Sequence, residues 1–378
     1  MRGPRRIPLS RPELCPEAER AVMEVLRSGQ LVRGPRVEAF EARLATMLSQ
    51  GAPCHVLAVA SGTAALEVAL AAVGVAAGDE VVIPDLTFPS LAAAIMRLGA
   101  EPVPTDVDPD TCNASAAALL AGVTERTKAL VPVHQFGLPM NVEELAAHFE
   151  GRPIAVVEDA ACALGARRGG VYCGTAGRVG CYSFHPRKVL TTGEGGAIVT
   201  RDRDLYAHCK RLANHGLRTN GGEARFEEIG WNYRLSEVHA ALAVGQIERL
   251  EESIARRRSL ASAYCANLRE QPGVTLPAGH RDGEHTFQSF LVVLDAEIPR
   301  REVISGMESA GVEVGIGSHA IHRQPFFRSR YAAREHERRL PGSRLLSRRG
   351  LVLPLFPGME RREVDYVCEA LATTIGRL

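Results

Sequence analysis

Lys188 is the residue of this sequence with the clearest chemical potential, and it closes the segment Ser183-Phe184-His185-Pro186-Arg187-Lys188. A lysine amine that has lost its proton is a nucleophile that forms Schiff bases with carbonyl groups, and burial favours the unprotonated amine. A lysine that follows a short strand and precedes the turn Gly193-Glu194-Gly195-Gly196 can reach a ligand held at a sheet edge. The alternative interpretation of Lys188, taken by itself, is an ordinary surface lysine, because most lysines lie at the protein surface.

Asp159 ends the apolar run Val156-Val157-Glu158-Asp159. Ligands of open α/β sheets bind at the carboxyl ends of the strands. A carboxylate there can pair with the protonated ring nitrogen of a cofactor and make that ring a better electron sink. Glu158 faces the other way in an alternating strand, so Asp159 is the candidate. The alternative is a solvated acid at a strand end.

The segment Ala60-Ser61-Gly62-Thr63 lies between a strand-like run and a helical one. Small residues at a helix N-terminus expose backbone N–H groups, and the helix dipole favours an anion there, so a phosphate would fit. The competing interpretation is an ordinary N-cap, for which Ser-Gly-Thr is also typical. A further segment, Trp231-Asn232-Tyr233-Arg234, precedes a predicted helix; Ser236 or Asn232 could cap that helix, and its other role is open.

Short apolar runs alternate with helical patterns between residues 58 and 200, which predicts a mostly parallel sheet covered by helices on both faces. The predicted strands are 80–84, 102–106, 129–134, 154–158, 180–184 and 196–200. The predicted helices are 63–73, 90–98, 116–122, 142–149 and 206–212.

The chain is expected to divide into a large α/β domain, residues 1–245, and a smaller C-terminal α+β domain, residues 246–378. A long amphipathic helix over 235–268 is predicted to bridge the two, because apolar residues recur along it at helical spacing. The smaller domain is predicted to contain a strand at 287–294 and helices at 300–310 and 361–375.

Composition excludes several classes of function. The chain has 45 basic and 44 acidic residues, so no charge excess is present to drive binding to nucleic acid or a membrane surface. No apolar run approaches the roughly 20 residues that span a bilayer, and the basic N-terminus lacks the apolar stretch of a signal peptide. The nine cysteines have no metal-ligand spacing, so we expect no metal site and a cytoplasmic protein with reduced cysteines.

Taken in order, these segments resemble one known family. Further segments that carry the resemblance are Ile7-Pro8-Leu9-Ser10-Arg11-Pro12, Ser28-Gly29-Gln30-Leu31-Val32-Arg33-Gly34-Pro35, Asp85-Leu86-Thr87-Phe88, Asp106-Val107-Asp108-Pro109 and Pro132-Val133-His134-Gln135-Phe136-Gly137. The whole set resembles the DegT/DnrJ/EryC1/StrS aminotransferases, fold-type I enzymes that use pyridoxal 5′-phosphate (PLP) and act largely on keto-sugars attached to nucleotides. Each segment alone is a weak signal, but their common order is specific.

The resemblance implies a role for each matching position. Lys188 would hold PLP as a Schiff base and move the substrate proton, Asp159 would pair with the pyridine nitrogen, and Phe88 would stack on the ring. The implied phosphate ligands are Gly62, Thr63 and Ser183. Asn232 would reach the cofactor of the neighbouring subunit, which implies a homodimer with shared active sites.

Two departures from the family pattern affect the site. Cys162 stands where family members usually carry Gln or His close to the phenolic oxygen of the cofactor, and a thiol is a poor hydrogen-bond donor. Residues 318–327 follow the His- and Pro-containing stretch of the family only loosely. His319 and Tyr331 are the candidate substrate contacts there.

The implied reaction moves an amino group from an amino acid, L-glutamate by resemblance, to a keto-sugar or keto-cyclitol, with pyridoxamine phosphate between the two half-reactions. One alternative is a PLP-dependent sugar dehydratase of the same family. Those members have His at the Schiff-base position, so Lys188 argues against that activity. Another is a non-catalytic sensor that keeps the fold, against which the complete set of functional positions argues.

Overall fold

The computed structural model describes residues 6–220, 223–282, 284–329 and 339–378. Its strands are β1 (His55–Val59), β2 (Glu80–Pro84), β3 (Leu86–Thr87), β4 (Glu101–Thr105), β5 (Thr127–Leu130), β6 (Ala155–Asp159), β7 (Arg167–Arg168), β8 (Val171–Tyr172), β9 (Val179–Ser183), β10 (Gly196–Thr200), β11 (Leu217–Asn220), β12 (Glu223–Phe226), β13 (Val274–Thr275), β14 (Phe290–Leu294), β15 (Gly315–Ile316), β16 (His319–Ala320) and β17 (Gly350–Leu353).

The helices of these residues are α1 (Pro16–Ser28), α2 (Pro35–Ser49), α3 (Gly62–Ala72), α4 (Ser90–Arg97), α5 (Ala116–Ala121), α6 (Val142–His148), α7 (Arg203–Leu212), α8 (Glu237–Leu242), α9 (Leu250–Leu268), α10 (Arg300–Ser309), α11 (Pro325–Arg328), α12 (Pro341–Arg349) and α13 (Arg361–Ile375). Short 3-10 turns occur at Gln135–Gly137, Ala278–Arg281 and Ile321–Arg323. No helix in the described ranges combines the length and apolarity that a bilayer span requires.

A seven-stranded sheet in the order β1-β10-β9-β6-β5-β2-β4 confirms the predicted α/β fold class. The strands from β9 to β4 pair in parallel, whereas β10 is antiparallel to both β9 and β1. Side chains alternate between the two faces. In β1, for example, Leu57 and Val59 pack in the core under α3, α4 and α7, while Val56 and Ala58 pack in the core beside α2.

A second, antiparallel sheet in the order β13-β14-β17-β15 lies in the C-terminal part of the chain. Its apolar face packs with α9, α10 and α13 around Tyr264, Phe290 and Met307. This α+β arrangement matches the element types expected for residues 246–378, and the boundary at residue 245 stays a prediction.

Several predicted elements have different bounds in the structure; the strand predicted over 287–294 begins at Phe290, and the helix predicted over 206–212 begins at Arg203. The helix predicted over 235–268 is two helices, α8 and α9, because Gly245 has a φ of +76° and the turn that contains it ends α8. The strand predicted over 129–134 ends at Leu130, after which the chain bends toward the 3-10 turn at Gln135. Helices α1 and α2, which the sequence analysis did not predict, each begin with a proline, the residue favoured in a first helical turn.

Candidate active site

A cavity of about 660 Å³ opens at the carboxyl ends of the parallel strands. This is where ligands of open α/β sheets bind. Eight of the residues singled out from the sequence line it: Gly62, Thr63, Phe88, Asp159, Cys162, Ser183, Lys188 and His319. Residues from distant parts of the chain, such as Ser10 and Glu313, complete its wall.

The N-terminus of α3 forms one end of this cavity. Ser61 caps the helix, since its Oγ accepts a hydrogen bond from the Ala64 N–H at 3.1 Å. The N–H groups of Gly62 and Thr63 precede the first helical hydrogen bond and so stay available to a ligand. A Cβ on Gly62 would lie 2.7 Å from the Ser183 Cβ, so only glycine lets the Ser183 hydroxyl approach this helix end. The cap and anion-site interpretations of this segment are therefore compatible.

Glu158 and Asp159 lie on opposite sides of β6. The Glu158 carboxylate is fully buried and accepts hydrogen bonds from the N–H groups of Gly174, Ala176 and Gly177 at 2.6–2.7 Å. It also contacts His134 Nε2 at 2.9 Å. His134 donates from Nε2, because its Nδ1 accepts the Met140 N–H at 3.0 Å.

Asp159 has far fewer partners, although it too is buried. Its Oδ1 accepts the Ala161 N–H at 3.0 Å, and the residue lines the cavity. Burial raises the pKa of Asp159, and this effect outweighs the Ala161 hydrogen bond and the positive charge of Lys188, which lower it. A cation that enters the cavity and pairs with Asp159 would remove this penalty on the charged carboxylate.

Backbone hydrogen bonds between its two ends close the loop that carries Lys188. The Phe184 N–H donates to Gly195 O at 2.8 Å, and the Phe184 carbonyl accepts the Thr192 N–H at 3.0 Å. Within the loop, the Lys188 N–H donates to His185 O at 2.8 Å. The Lys188 side chain extends into the cavity, where Nζ lies 3.0 Å from the Sγ of Cys162.

Phe88 and His319 meet at the mouth of the cavity. They are brought together because β3 pairs with β16 through Thr87 and His319. The two rings lie edge to face with centroids 6.0 Å apart. Phe88 is 66% exposed, so its ring is free to cover a planar ligand. Burial lowers the pKa of His319, which favours a neutral imidazole.

One described residue named from the sequence, Asn232, lies outside this cavity. Asn232 forms an isolated bridge with Asn214 and does not line the cavity of its own chain. Tyr331 lies outside the described residues. The sequence analysis also missed lining residues, among them Arg187, Gln288 and Glu313. Arg187 directly precedes Lys188, so the sequence motif could have indicated it. Gln288 and Glu313 come from distant segments that contain no motif.

Comparison with known proteins decides the family. A model of the DegT/DnrJ/EryC1/StrS aminotransferase family matches residues 12–372. The chain belongs to this family. Its predicted enzyme class, a PLP-dependent aminotransferase, and its predicted cofactor are thereby confirmed.

Solved structures agree with the family assignment. The aminotransferase TlmJ from Streptoalloteichus hindustanus is 32% identical, with a TM-score of 0.88 over 98% of this chain and 99% of that chain. DesV of S. venezuelae, solved in complex with a ketimine intermediate, is also 32% identical, with a TM-score of 0.87 over 96% of this chain and 95% of its own. Helicobacter pylori PseC, an aminotransferase involved in the biosynthesis of pseudoaminic acid, has a TM-score of 0.92 at 24% identity over 99% of this chain and 100% of that chain, which shows the shared fold alone.

The cavity of this aminotransferase fits PLP by its own chemistry. A phosphate matches the free N–H groups at α3 beside Ser183, and a ring cation matches the desolvated Asp159. The amine of Lys188 lines the same space. PLP carries a phosphate anion, a ring nitrogen that is a cation when protonated, and a carbonyl group. The cavity offers one partner for each of the three.

Proposed function

We propose that this aminotransferase moves an amino group from L-glutamate to the ketone of a sugar, nucleotide-linked or otherwise, or of a cyclitol. The observation that carries the proposal is the single cavity shared by Lys188, Asp159, Ser183 and the N-terminus of α3. The presence of an amine at position 188, where dehydratases of the family have His, supports amino transfer over removal of a hydroxyl.

The residues of the chain divide the work of binding. The N–H groups of Gly62 and Thr63 and the Ser183 hydroxyl would bind the phosphate, and Asp159 would keep the pyridine nitrogen protonated. The ring of Phe88 would cover the pyridine ring. Bound PLP supplies an electron sink for negative charge at the donor's α-carbon.

Lys188 Nζ acts as general base and acid. With PLP bound, the Nζ of Lys188 would take the proton from the donor's α-carbon and would return it at the cofactor's C4′. The same atom reverses these transfers for the ketone substrate. Because the loop of Lys188 is held by backbone hydrogen bonds, the amine keeps its place through both halves of the reaction.

The wall of the cavity supports a polyhydroxylated substrate and an acidic donor. Ser10, Gln288 and Ser289 offer hydroxyl and amide groups, which suit the hydroxyls of a sugar. Arg187 is the only arginine among the described lining residues, and a guanidinium suits a carboxylate of the donor.

The position of Asn232 supports the proposal of a homodimer with shared sites. The residue does not line the cavity of its own chain, so the cofactor contact implied by the family resemblance would be made in a neighbouring subunit. Close to it in the sequence, Phe226 and Ile229 are exposed, the latter by 94%. Exposed apolar side chains in one segment are typical of a contact surface.

The test first measures the absorbance of the protein and then identifies the reaction product. Purified protein reconstituted with PLP is expected to be yellow, and L-glutamate is expected to change its absorbance without any second substrate. A panel of nucleotide-linked keto-sugars and keto-cyclitols, with glutamate or glutamine as donor, then identifies the acceptor by mass spectrometry of the aminated product. Cleavage of a sugar C–O bond without amino transfer would contradict the proposal.

A further inference from the structure

Cys162 is a cavity residue that the proposed reaction does not use. Its Sγ lies 3.0 Å from Lys188 Nζ, closer than any other polar contact found for that amine among the described residues. Six of the nine cysteines are buried, and Cys54, Cys162 and Cys265 are partly exposed. Of these three, Cys162 alone lines the 660 Å³ cavity, so small solutes reach its sulfur.

Backbone hydrogen bonds fix the two segments that carry Cys162 and Lys188. Cys162 lies in the tight turn after β6, where the Ala163 N–H donates to Ala160 O at 2.9 Å and the Ala160 N–H donates to Cys181 O at 2.9 Å. Lys188 lies in the closed loop after β9. The sulfur and the nitrogen therefore face each other in the cofactor-free protein without a rearrangement of either segment.

We propose that Cys162 and Lys188 form an oxidative modification site, in which a peroxide leads to a covalent sulfur–nitrogen bond between the two side chains. In the first step the thiol sulfur attacks one peroxide oxygen, the O–O bond breaks, and water leaves, so that sulfur is oxidised to a sulfenic acid and the peroxide is reduced. In the second step the Lys188 amine attacks the sulfenic sulfur. The S–O bond breaks, and the hydroxyl leaves with the amine's proton as a second water.

The bond is reversible by thiols. A dithiol attacks the sulfur, returns the proton to the nitrogen and then closes to its own disulfide, which supplies the two electrons that restore the thiol and the amine. While the bond exists, the Lys188 nitrogen carries sulfur and only one hydrogen, so it is no longer the primary amine that a Schiff base with PLP requires. This consequence rests on the proposed role of Lys188, whereas formation of the bond does not.

The experiment uses the full-length protein freed of PLP and treated with hydrogen peroxide. We expect a cross-linked peptide pair that contains Cys162 and Lys188, lighter by two hydrogens than the separate peptides, which disappears after dithiothreitol. Cys54→Ser and Cys265→Ser are matched controls that keep the cross-link, and Cys162→Ser lacks it. Lys188→Arg keeps the thiol and lacks the amine, so it should yield oxidised Cys162 without a bridge.

Protein that is loaded with PLP before the peroxide should give less cross-link, because the cofactor holds the amine. Sulfinic acid at Cys162 without a bridge in the wild-type protein, or a bridge heavier by one oxygen atom, would overturn the proposal. Turnover with L-glutamate, measured on untreated holoenzyme, tests the proposed function separately from the mass of the cross-link.

Discussion

Glu158 and Asp159 are neighbours in β6, yet their carboxylates face different environments. Glu158 accepts three backbone N–H groups and contacts His134 Nε2 in the protein interior, whereas Asp159 has one backbone donor and lines the cavity. Replacing each carboxylate by its amide should therefore affect mainly catalysis at Asp159 and mainly stability at Glu158.

Asp159→Asn should lower kcat by about 10²-fold or more, because an amide cannot keep the pyridine nitrogen protonated and the cofactor becomes a weaker electron sink. Its free energy of unfolding without PLP should change little, since a buried carboxylate with one donor is replaced by a neutral group. Glu158→Gln should instead destabilise the fold by about 1–3 kcal/mol, because the amide leaves buried donors unpaired. Urea unfolding and steady-state kinetics of the two variants check this, and equal kinetic losses would contradict it.

Lys188→Ala should remove turnover while leaving the fold intact. A positioned general acid–base contributes about 10²–10⁴-fold, and the variant also loses the covalent anchor of PLP. Lys210→Ala is the matched control, because Lys210 is exposed at the end of α7. The sequence contains only three lysines, Lys128, Lys188 and Lys210, so borohydride reduction of the holoenzyme should label one peptide. Retained transamination in Lys188→Ala would refute the assignment.

Gly62→Ala should weaken PLP binding by about 1–3 kcal/mol, which is roughly fivefold to 150-fold in Kd, because the added methyl group meets Ser183 and separates the two phosphate ligands. Gly358→Ala is a suitable control, since its Cβ would meet Glu13 Oε1 at an ordinary 3.4 Å. Titration of the cofactor-free protein with PLP measures the difference.

Asn232→Ala should weaken PLP retention only in the assembled dimer, because Asn232 does not line its own cavity. Gel filtration at several protein concentrations, combined with the absorbance of retained PLP, checks this. If a monomeric form of the wild-type protein retains PLP as tightly as the dimer, the shared site is ruled out.

Stability should fall as the pH is lowered, and His285 provides a specific cause. Burial, together with the smaller effect of nearby His280, lowers the pKa of His285 to about 3. The unfolded chain has an ordinary histidine pKa near 6.5, so the stabilisation is complete above that pH and declines as the pH falls toward 3. Between pH 6.5 and 5 the loss from this residue is about 2 kcal/mol.

Urea unfolding of wild type at the two pH values, beside His285→Asn, measures this contribution. The variant should show a shallower decline, because its amide can still accept the Phe287 N–H that binds His285 Nδ1 at 2.9 Å and carries no titrating group. His148→Asn, at an exposed site, should keep the wild-type slope. The same slope in both variants would show that His285 is not the cause.

The local chemistry of the site could be predicted from the sequence because it depends on short-range rules. Strand alternation separates Asp159 from Glu158, and a capping serine before small residues predicts the start of α3. The cavity wall could not be predicted in this way. Gln288 and Glu313 lie just before strands β14 and β15 of the C-terminal sheet, and their positions depend on how that sheet packs, which no local pattern encodes. The contact of Cys162 with Lys188 likewise requires two turns after different strands to converge.

The end of α8 offers a different kind of consequence. Gln246 lies in the turn before α9, where its Oε1 accepts the Thr191 N–H at 3.0 Å and its Nε2 donates to the Thr191 carbonyl at 2.8 Å. One amide side chain therefore holds both backbone polar groups of Thr191, three residues from Lys188. A rotation of α9 that accompanied closure over a substrate would carry the lysine loop with it. The Lys188 amine would then move together with the wall of the cavity and would keep its orientation toward the ligand.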